Sequence, residues 1–342
     1  AGEYYVSPTG SDAGPGSLAA PFKTIQKAAD IMQAGDVCHI REGTYRESIK
    51  PKNSGTAGAP IQFKPYANES VTLSGAETLT GWTAYKGNIY QTTMDWSLGV
   101  KNQLFFEGEM VYQARWPNHP RDGVFAVHDA IMSNGSVSEY GGTGWLECDS
   151  LPRMDWNGAM AWISSKEEWS QWTSRISNYT QGSKRLNLTM AAEWVGAKGA
   201  PGKNGKFYLT GIMEALDYPG EWHYDSTKNI VYFWPPNGQN PNDFQVEAKK
   251  REFSLDISGL SHIEFTGINL HGTGVDMRNS HSCLLKQVRA RDLVAALETV
   301  GRGGSLLDPA VTEKVLERIR RIATGGQSDE LAALTAQEHR AL

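Results

Sequence analysis

The run Tyr4-Tyr5-Val6-Ser7-Pro8-Thr9-Gly10-Ser11-Asp12, followed by Pro21-Phe22-Lys23-Thr24-Ile25-Gln26-Lys27-Ala28-Ala29-Asp30-Ile31-Met32, decides the fold. The first run reads as a short strand entering a turn, because Gly10, Asp12, Gly14, Pro15 and Gly16 break any regular element. In the second, Phe22, Ile25, Ala28, Ala29 and Met32 recur at helical spacing, with Pro21 suited to the first turn and Gly35 closing the helix. Strand-like runs follow at 36–40, 61–66 and 71–75, and Glu42-Gly43-Thr44-Tyr45 reads as a turn into Ile49. One amphipathic helix ahead of short, evenly spaced strands favours a solenoid, whose open apolar end needs a cap.

The same alternation returns at Phe253-Ser254-Leu255-Asp256-Ile257 and at Ile263 to Leu270, where Gly267 introduces a one-residue slip. Val275-Asp276-Met277 and Cys283-Leu284-Leu285 continue it, and Ser261-His262 recurs as His281-Ser282 about one solenoid turn later. Residues 81–250 break the period. Their landmarks are Gln103 to Met110 (strand, turn, strand), Ala114-Arg115-Trp116-Pro117-Asn118, Phe207 to Gly211, Pro219-Gly220-Glu221-Trp222-His223-Tyr224-Asp225, and Ile230 to Pro236. All 11 tryptophans lie between Trp82 and Trp234. A flat indole stacks on a sugar ring, although most of these are expected in an aromatic core.

The opening runs, with Ala34-Gly35-Asp36, Ile40-Arg41-Glu42-Gly43-Thr44-Tyr45-Arg46-Glu47 and Asn53 to Ile61, resemble the N-terminal cap and first coils of bacterial pectate-lyase-like, right-handed parallel β-helix proteins. The Ala-Arg-Trp-Pro-Asn and Pro-Gly-Glu-Trp-His-Tyr-Asp blocks resemble the extra β domain near the start of β-helix glycosidase-like proteins. The resemblance covers residues 1–283. It implies a mainly β chain: a truncated right-handed parallel β-helix with an N-terminal cap helix and an attached β-rich domain. The cap and first coils occupy 1–80, the aromatic insertion 81–250, and a resumed coil 251–283. It also implies a polysaccharide or oligosaccharide partner and glycoside hydrolase- or polysaccharide lyase-like chemistry. Non-catalytic solenoids share the fold, so a carbohydrate-binding or structural role is the alternative.

By the same resemblance Arg115, Trp116 and Asn118 face the sugar cleft. A ring beside a guanidinium and an amide suits stacking plus hydrogen bonds to hydroxyls. The alternative is a packed corner in which Arg115 pairs with a local carboxylate. Glu221 and Asp225 form a tempting carboxylate pair, but a turn entering a strand holds them apart. Enzymes of this fold carry their catalytic groups on the exposed face of middle coils. In the resumed coil only Asp276 and Arg278 are placed to do this, or else to serve as solvated loop charges. One resumed coil does not supply two positioned carboxylates and a long cleft, so impaired catalysis is expected. No cofactor is expected. Calcium enters only through the likeness to lyases, without an acidic cluster to support it.

From Leu284 the composition changes: the final 77 residues contain no aromatic residue and are rich in Ala, Leu, Arg and Glu. Residues 284–342 read as a short α-helical tail, with stripes at 293–300 and 311–322. Leu284-Leu285-Lys286, Leu293 to Leu297, Gly303 to Val311 and Leu334-Thr335-Ala336-Gln337-Glu338 resemble the receiver end and linker of a LuxR-type response regulator. There, the lysine matching Lys286 contacts a phosphorylated aspartate. The acidic pocket, the phospho-acceptor strand and the recognition helix have no counterpart, so a transcription-factor role fails.

A net charge of −5 and no basic stripe before the last sixty residues exclude a nucleic-acid surface. No run of about 18 apolar residues spans a membrane. Cys38, Cys148 and Cys283 are odd in number and far apart, giving neither metal spacing nor a disulfide framework. The start Ala-Gly-Glu matches a bacterial protein, secreted or of the cell envelope, after removal of its signal peptide.

Overall fold

Short strands with alternate apolar residues bury one face and must find hydrogen-bond partners in runs elsewhere along the chain. The computed structural model describes residues 1–119, 129–138, 142–165, 170–189 and 199–290. Glu3–Val6, Val37–Ile40, Ile61–Pro65, Ile263–Thr266 and Leu284–Lys286 stack in that order as one parallel sheet. Gly43–Tyr45, Val71–Ser74, Asn269–His271 and Arg289–Ala290 form a second parallel ladder. Phe253–Asp256 and Gly274–Asp276 make a third, extended by the parallel bridge Ile49–Leu255. The short run at 43–45 is thus a strand, where the sequence reads as a turn.

The register stacks Tyr4, Cys38, Phe63, Phe265 and Leu285 in one column. The Phe63 and Phe265 rings lie 4.4 Å apart at an interplanar angle of 4°. Val6, Ile40, Leu73, Leu255 and Ile263 seal the space between the ladders. Each such side chain contributes roughly 1.5–3 kcal/mol by leaving water. Gly267, at φ +70°, turns the chain from the first ladder into the second. That is the physical content of the slip in the alternation.

The helix spans Ile25–Ile31, four residues later than Pro21 implies. Thr24 is its N-cap, with its hydroxyl accepting from the Lys27 amide. The Glu47 carboxylate accepts the Ile25 and Gln26 amides at 3.0 and 2.9 Å. Phe22 is drawn out of the helix to bridge Val6. Ile25, Ala28 and Ala29 are buried against the ladder core.

Between neighbouring rungs Ile61–Pro65 and Ile263–Thr266 the chain makes its long excursion; Gln62 donates to Glu264 at 2.9 Å across that gap in sequence. The excursion leaves and re-enters at Gly75, whose carbonyl accepts the Lys250 and Arg251 amides. A Cβ at Gly75 would lie 2.5 Å from the Gly272 carbonyl oxygen, so only glycine fits.

The excursion builds two largely antiparallel sheets. One runs Ala76–Thr78, Val246–Lys249, Leu104–Phe106, Glu109–Gln113, Glu221–Asp225, Ile230–Phe233, Ile89–Thr93, Thr83–Lys86. The other runs Arg115–Trp116, Lys206–Thr210, Met160–Ser164, Gln171–Ser177, Arg185–Leu188, Gly144–Glu147, Asn134–Val137, with Ala130–Ile131 beside Lys206–Thr210. Buried Ala114 is the step from the first sheet to the second.

Where the first sheet meets the ladders, Glu247 is 2% exposed. It takes the Arg46 guanidinium at 2.7 Å and His271 Nε2 at 3.1 Å. Arg46 also donates to the Ala76 carbonyl, and the His271 ring lies 4.6 Å from Phe105.

Leu284–Lys286 is a rung beneath Ile263–Thr266, with Leu285 below Phe265 in the core column. The described part of the segment read as a receiver strand is therefore ladder, because its apolar residue fits the register. Residues 291–342, including the stripes at 293–300 and 311–322, lie outside the described residues.

Candidate functional site

Two places gather the side chains singled out from the sequence. The first is the corner where Glu109–Gln113 hands over to Arg115–Trp116. Alternation across Ala114 sends Arg115 and Trp116 to opposite sides of their strand. Arg115 is 8% exposed. Its guanidinium donates to Asp129 at 2.7 Å and to the Pro117 carbonyl at 2.8 Å, and lies 3.9 Å over the Tyr208 ring. Trp116 is half-buried against Trp156 and Phe207, with ring centroids at 6.2 and 6.0 Å. Asn118 donates to Asp217 at 2.9 Å. The three residues thus share a corner, each engaged with a different partner. This is the packed arrangement with Arg115 held by a local carboxylate.

Glu221 pairs with Tyr112 in the parallel step of that corner and is 1% exposed. Neither carboxyl oxygen completes a hydrogen bond among the described residues. Burial pushes the carboxyl up to about 8 and the Asp217 carboxylate adds to this; the nearby Arg115 and Asp217 amides and the Arg115 guanidinium pull the other way. His223, two residues on, is lowered by burial. Asp225 faces solvent with Lys228 at 2.8 Å and Thr227, which hold its carboxyl well below the usual range. Glu221 and Asp225 are four residues apart on one extended strand, roughly 13 Å, and so do not act as a pair.

The second place is the third parallel ladder. Asp256 and Asp276 are register neighbours, roughly 4.8 Å apart along the ladder. Each has its own cation. Lys50 reaches Asp256 at 2.7 Å; Arg278 grips Asp276 through Nε and Nη2 at 3.0 and 2.6 Å. Asp276 is 6% exposed beneath an Arg278 side chain that is 75% exposed. The Arg278 hydrogen bonds hold the Asp276 carboxyl below its ordinary value. Burial opposes the same shift at Asp256, but Lys50 and Ser258 outweigh it. Both carboxylates are charged at neutral pH. Acid–base glycoside cleavage needs one carboxyl kept protonated, so this pair lacks the required asymmetry.

Among the described residues no three His, Cys, Asp or Glu side chains converge on a metal position. Calcium takes six to eight oxygens, and two carboxylates already held by Lys50 and Arg278 do not fit it. No described helix is long and apolar enough to cross a membrane.

The fold belongs with that of a solved glycoside hydrolase, which superposes at a TM-score of 0.61 and 23% identity over 80% of this chain and 51% of that one. At that identity the likeness is one of fold. Residues 8–87 match the family DUF1565, described as a protein of unknown function. A 75-residue segment is 49% identical to the uncharacterized protein YwoF of Bacillus subtilis. A 79-residue segment is 43% identical to the pectate lyase PEL9 of Emericella nidulans. Each of these two matches covers 22% of this chain, and 16% and 19% of the relatives' own length. The chain thus spans under a fifth of the curated relatives it matches.

Proposed function

We propose that this chain is a polysaccharide-directed protein whose parallel ladders are turns of a right-handed β-helix. The carrying observation is the aromatic, antiparallel insertion set between two consecutive rungs, Ile61–Pro65 and Ile263–Thr266. The glycoside hydrolase likeness supports this reading because it extends over 80% of the chain, beyond the ladders alone. The pectate lyase match supports the same substrate class. A polymer substrate calls for a protein outside the cell or in its envelope. For residues 284–342 the receiver likeness remains a proposal about sequence origin, without a signalling role.

Within this reading we assign binding without efficient turnover to the described ladders, because Asp256 and Asp276 are both neutralised and both ionised. Loss of a positioned acid or base typically removes a factor of about 10² to 10⁴ in rate. Reducing-sugar release and the absorbance of unsaturated uronates, measured over pectin, alginate and xylan, should stay at the blank. Turnover that Asp276→Asn abolishes would overturn the assignment and make Asp276 catalytic.

At the corner Asp217 is exposed and the half-buried Asn118 donates to it, and we place glycan contact at this pair, with Arg115 and Trp116 holding the corner together. Asn118→Ala should weaken glycan binding several-fold with an unchanged melting temperature. Trp116→Ala should instead cost about 2 kcal/mol of stability, because it removes a half-buried indole from a packed cluster. Denaturant melts and glycan titration on both variants separate the two roles. A Trp116→Ala protein of native stability that no longer binds would return Trp116 to the sugar contact.

A further inference from the structure

The second sheet of the insertion has one face sealed and the other open. Leu146, Leu186, Leu188 and Ile176 point inward and are at most 2% exposed. Their sequence neighbours point outward. The register places Ser136, Trp145, Asn187 and Ser177 directly opposite one another across four adjacent strands. The row is roughly 14 Å long at ordinary strand spacing, room for more than one sugar ring. It runs along an open groove of about 490 Å³ that Thr143, Asn178 and Thr189 also line.

Trp145 forms a wall of this groove. Arg185 stacks on the indole at 3.9 Å and is not among the residues that line the groove. Arg185 is held there by Glu147, at 2.8 Å. The ring face toward the groove carries no stacked partner among the described residues. Trp82, Trp96, Trp156, Trp172 and Trp222 all donate their indole N–H to a backbone carbonyl. Trp145, on an outward face, makes no such bond among the described residues.

We propose that this groove is a binding site for a neutral pyranose oligosaccharide, separate from the corner at Asn118. The indole offers its π face to the C–H face of a sugar ring. Asn187, Asn178, Ser177 and Thr189 offer amide and hydroxyl groups that both donate and accept, as sugar hydroxyls require. No described residue lining the groove is charged. A uronate or a phosphate calls for a free guanidinium or ammonium; Arg185 is spent on Glu147, and Arg175, beside Thr189, lies outside the lining and donates to the Gly158 carbonyl. An apolar protein partner calls for a larger apolar patch than one indole with the partly exposed Val137 beside it. The choice of a glycan rests in part on the polysaccharide reading above; the neutrality of the glycan rests on the lining alone.

The test titrates cellohexaose, xylohexaose and trigalacturonate into the full chain, followed by calorimetry and tryptophan fluorescence. A single stacked subsite with a few hydrogen bonds should bind a neutral hexaose with a Kd of roughly 0.1–1 mM. Trigalacturonate should bind at least tenfold more weakly. Trp145→Ala should remove the neutral-sugar affinity and the fluorescence change, while Tyr85→Ala, which removes an exposed ring from the other sheet of the insertion, leaves both. Trp145→Phe, which keeps a ring and the fold, should retain part of the affinity, guarding against a folding artefact. Neutral-sugar binding that survives Trp145→Ala but falls with Asn118→Ala overturns this site and leaves the proposed function standing. Tighter binding of trigalacturonate overturns the neutral assignment. Absence of binding by any of the three sugars overturns both.

Discussion

Replacing Glu247 by glutamine is expected to cost about 3 kcal/mol and to flatten the acid limb of the stability curve. Glu247 is buried at the junction between the insertion and the ladders, facing Arg46 at 2.7 Å and His271 at 3.1 Å. Removing one partner of a buried ion pair typically costs about 3–5 kcal/mol, since the charge left behind stays desolvated. Arg46 keeps a quarter of its side chain in solvent, which places the expectation at the lower end. Burial alone would raise the Glu247 carboxyl; His271 and Arg46 outweigh it and bring it down to about 2. A carboxyl lowered in the folded state stabilises fully above its ordinary value of 4.5. That contribution is lost as pH falls from 4.5 toward 2. Urea melts across this window should show a steep decline for the native protein and a shallow one for Glu247→Gln. The combined change Arg46→Met, Glu247→Leu, His271→Leu should regain much of the loss, because no member of the triad is then left as an unpaired buried charge. A Glu247→Gln variant with native stability at pH 7 would show that the pair adds nothing net.

This triad marks where sequence stops informing structure. Arg46, Glu247 and His271 come from three segments, and none lies in a pattern that points to the others. The ladders are far more legible. The column of Cys38, Phe63 and Phe265 follows from strict alternation, and the slip at Gly267 is a corner that its φ of +70° makes possible. The helix start is misplaced by sequence because Pro21 is a good first-turn residue by local preference. The deciding contacts are the Asp12 carboxylate on the Lys23 and Thr24 amides and Glu47 on Ile25, each many residues away. Leu284-Leu285-Lys286 shows the reverse failure. Three residues are too few to tell a ladder rung from a strand of another fold, and only the register under Phe265 separates them.

The corner is half legible. Arg115, Trp116 and Asn118 are indeed together, but their partners Asp129, Tyr208, Phe207 and Asp217 lie up to about a hundred residues away, and those partners set what each side chain is free to do. The row of Ser136, Trp145, Asn187 and Ser177 is invisible in the sequence for the same reason. Each strand shows polar–apolar alternation, but the pairing of Trp145 with Asn187 depends on a register between segments some forty residues apart.

Replacing Glu221 by glutamine should stabilise the protein at alkaline pH by an amount on the order of 4 kcal/mol and leave it little changed near pH 5. Glu221 is sealed, its oxygens complete no hydrogen bond among the described residues, and burial with the Asp217 carboxylate nearby lifts its carboxyl to about 8. For a carboxyl raised on folding the sign is opposite to that of Glu247. The folded state holds its proton while the unfolded state releases it above 4.5. Stability therefore falls as pH rises from 4.5 to 8 and levels off beyond. The slope is about 1.4 kcal/mol for each pH step crossed, before relaxation and water entry reduce it. Glutamine keeps the volume and removes the titration. His223 titrates below its ordinary value in the fold, but it is common to both proteins and cancels in the difference between their melts. The difference curve should thus be flat below pH 4.5, rise through neutrality and reach a plateau just above pH 8. If it stays flat throughout, the Glu221 carboxyl is solvated or paired in solution. The corner would then be an open, hydrated site, with Glu221 able to meet a substrate directly.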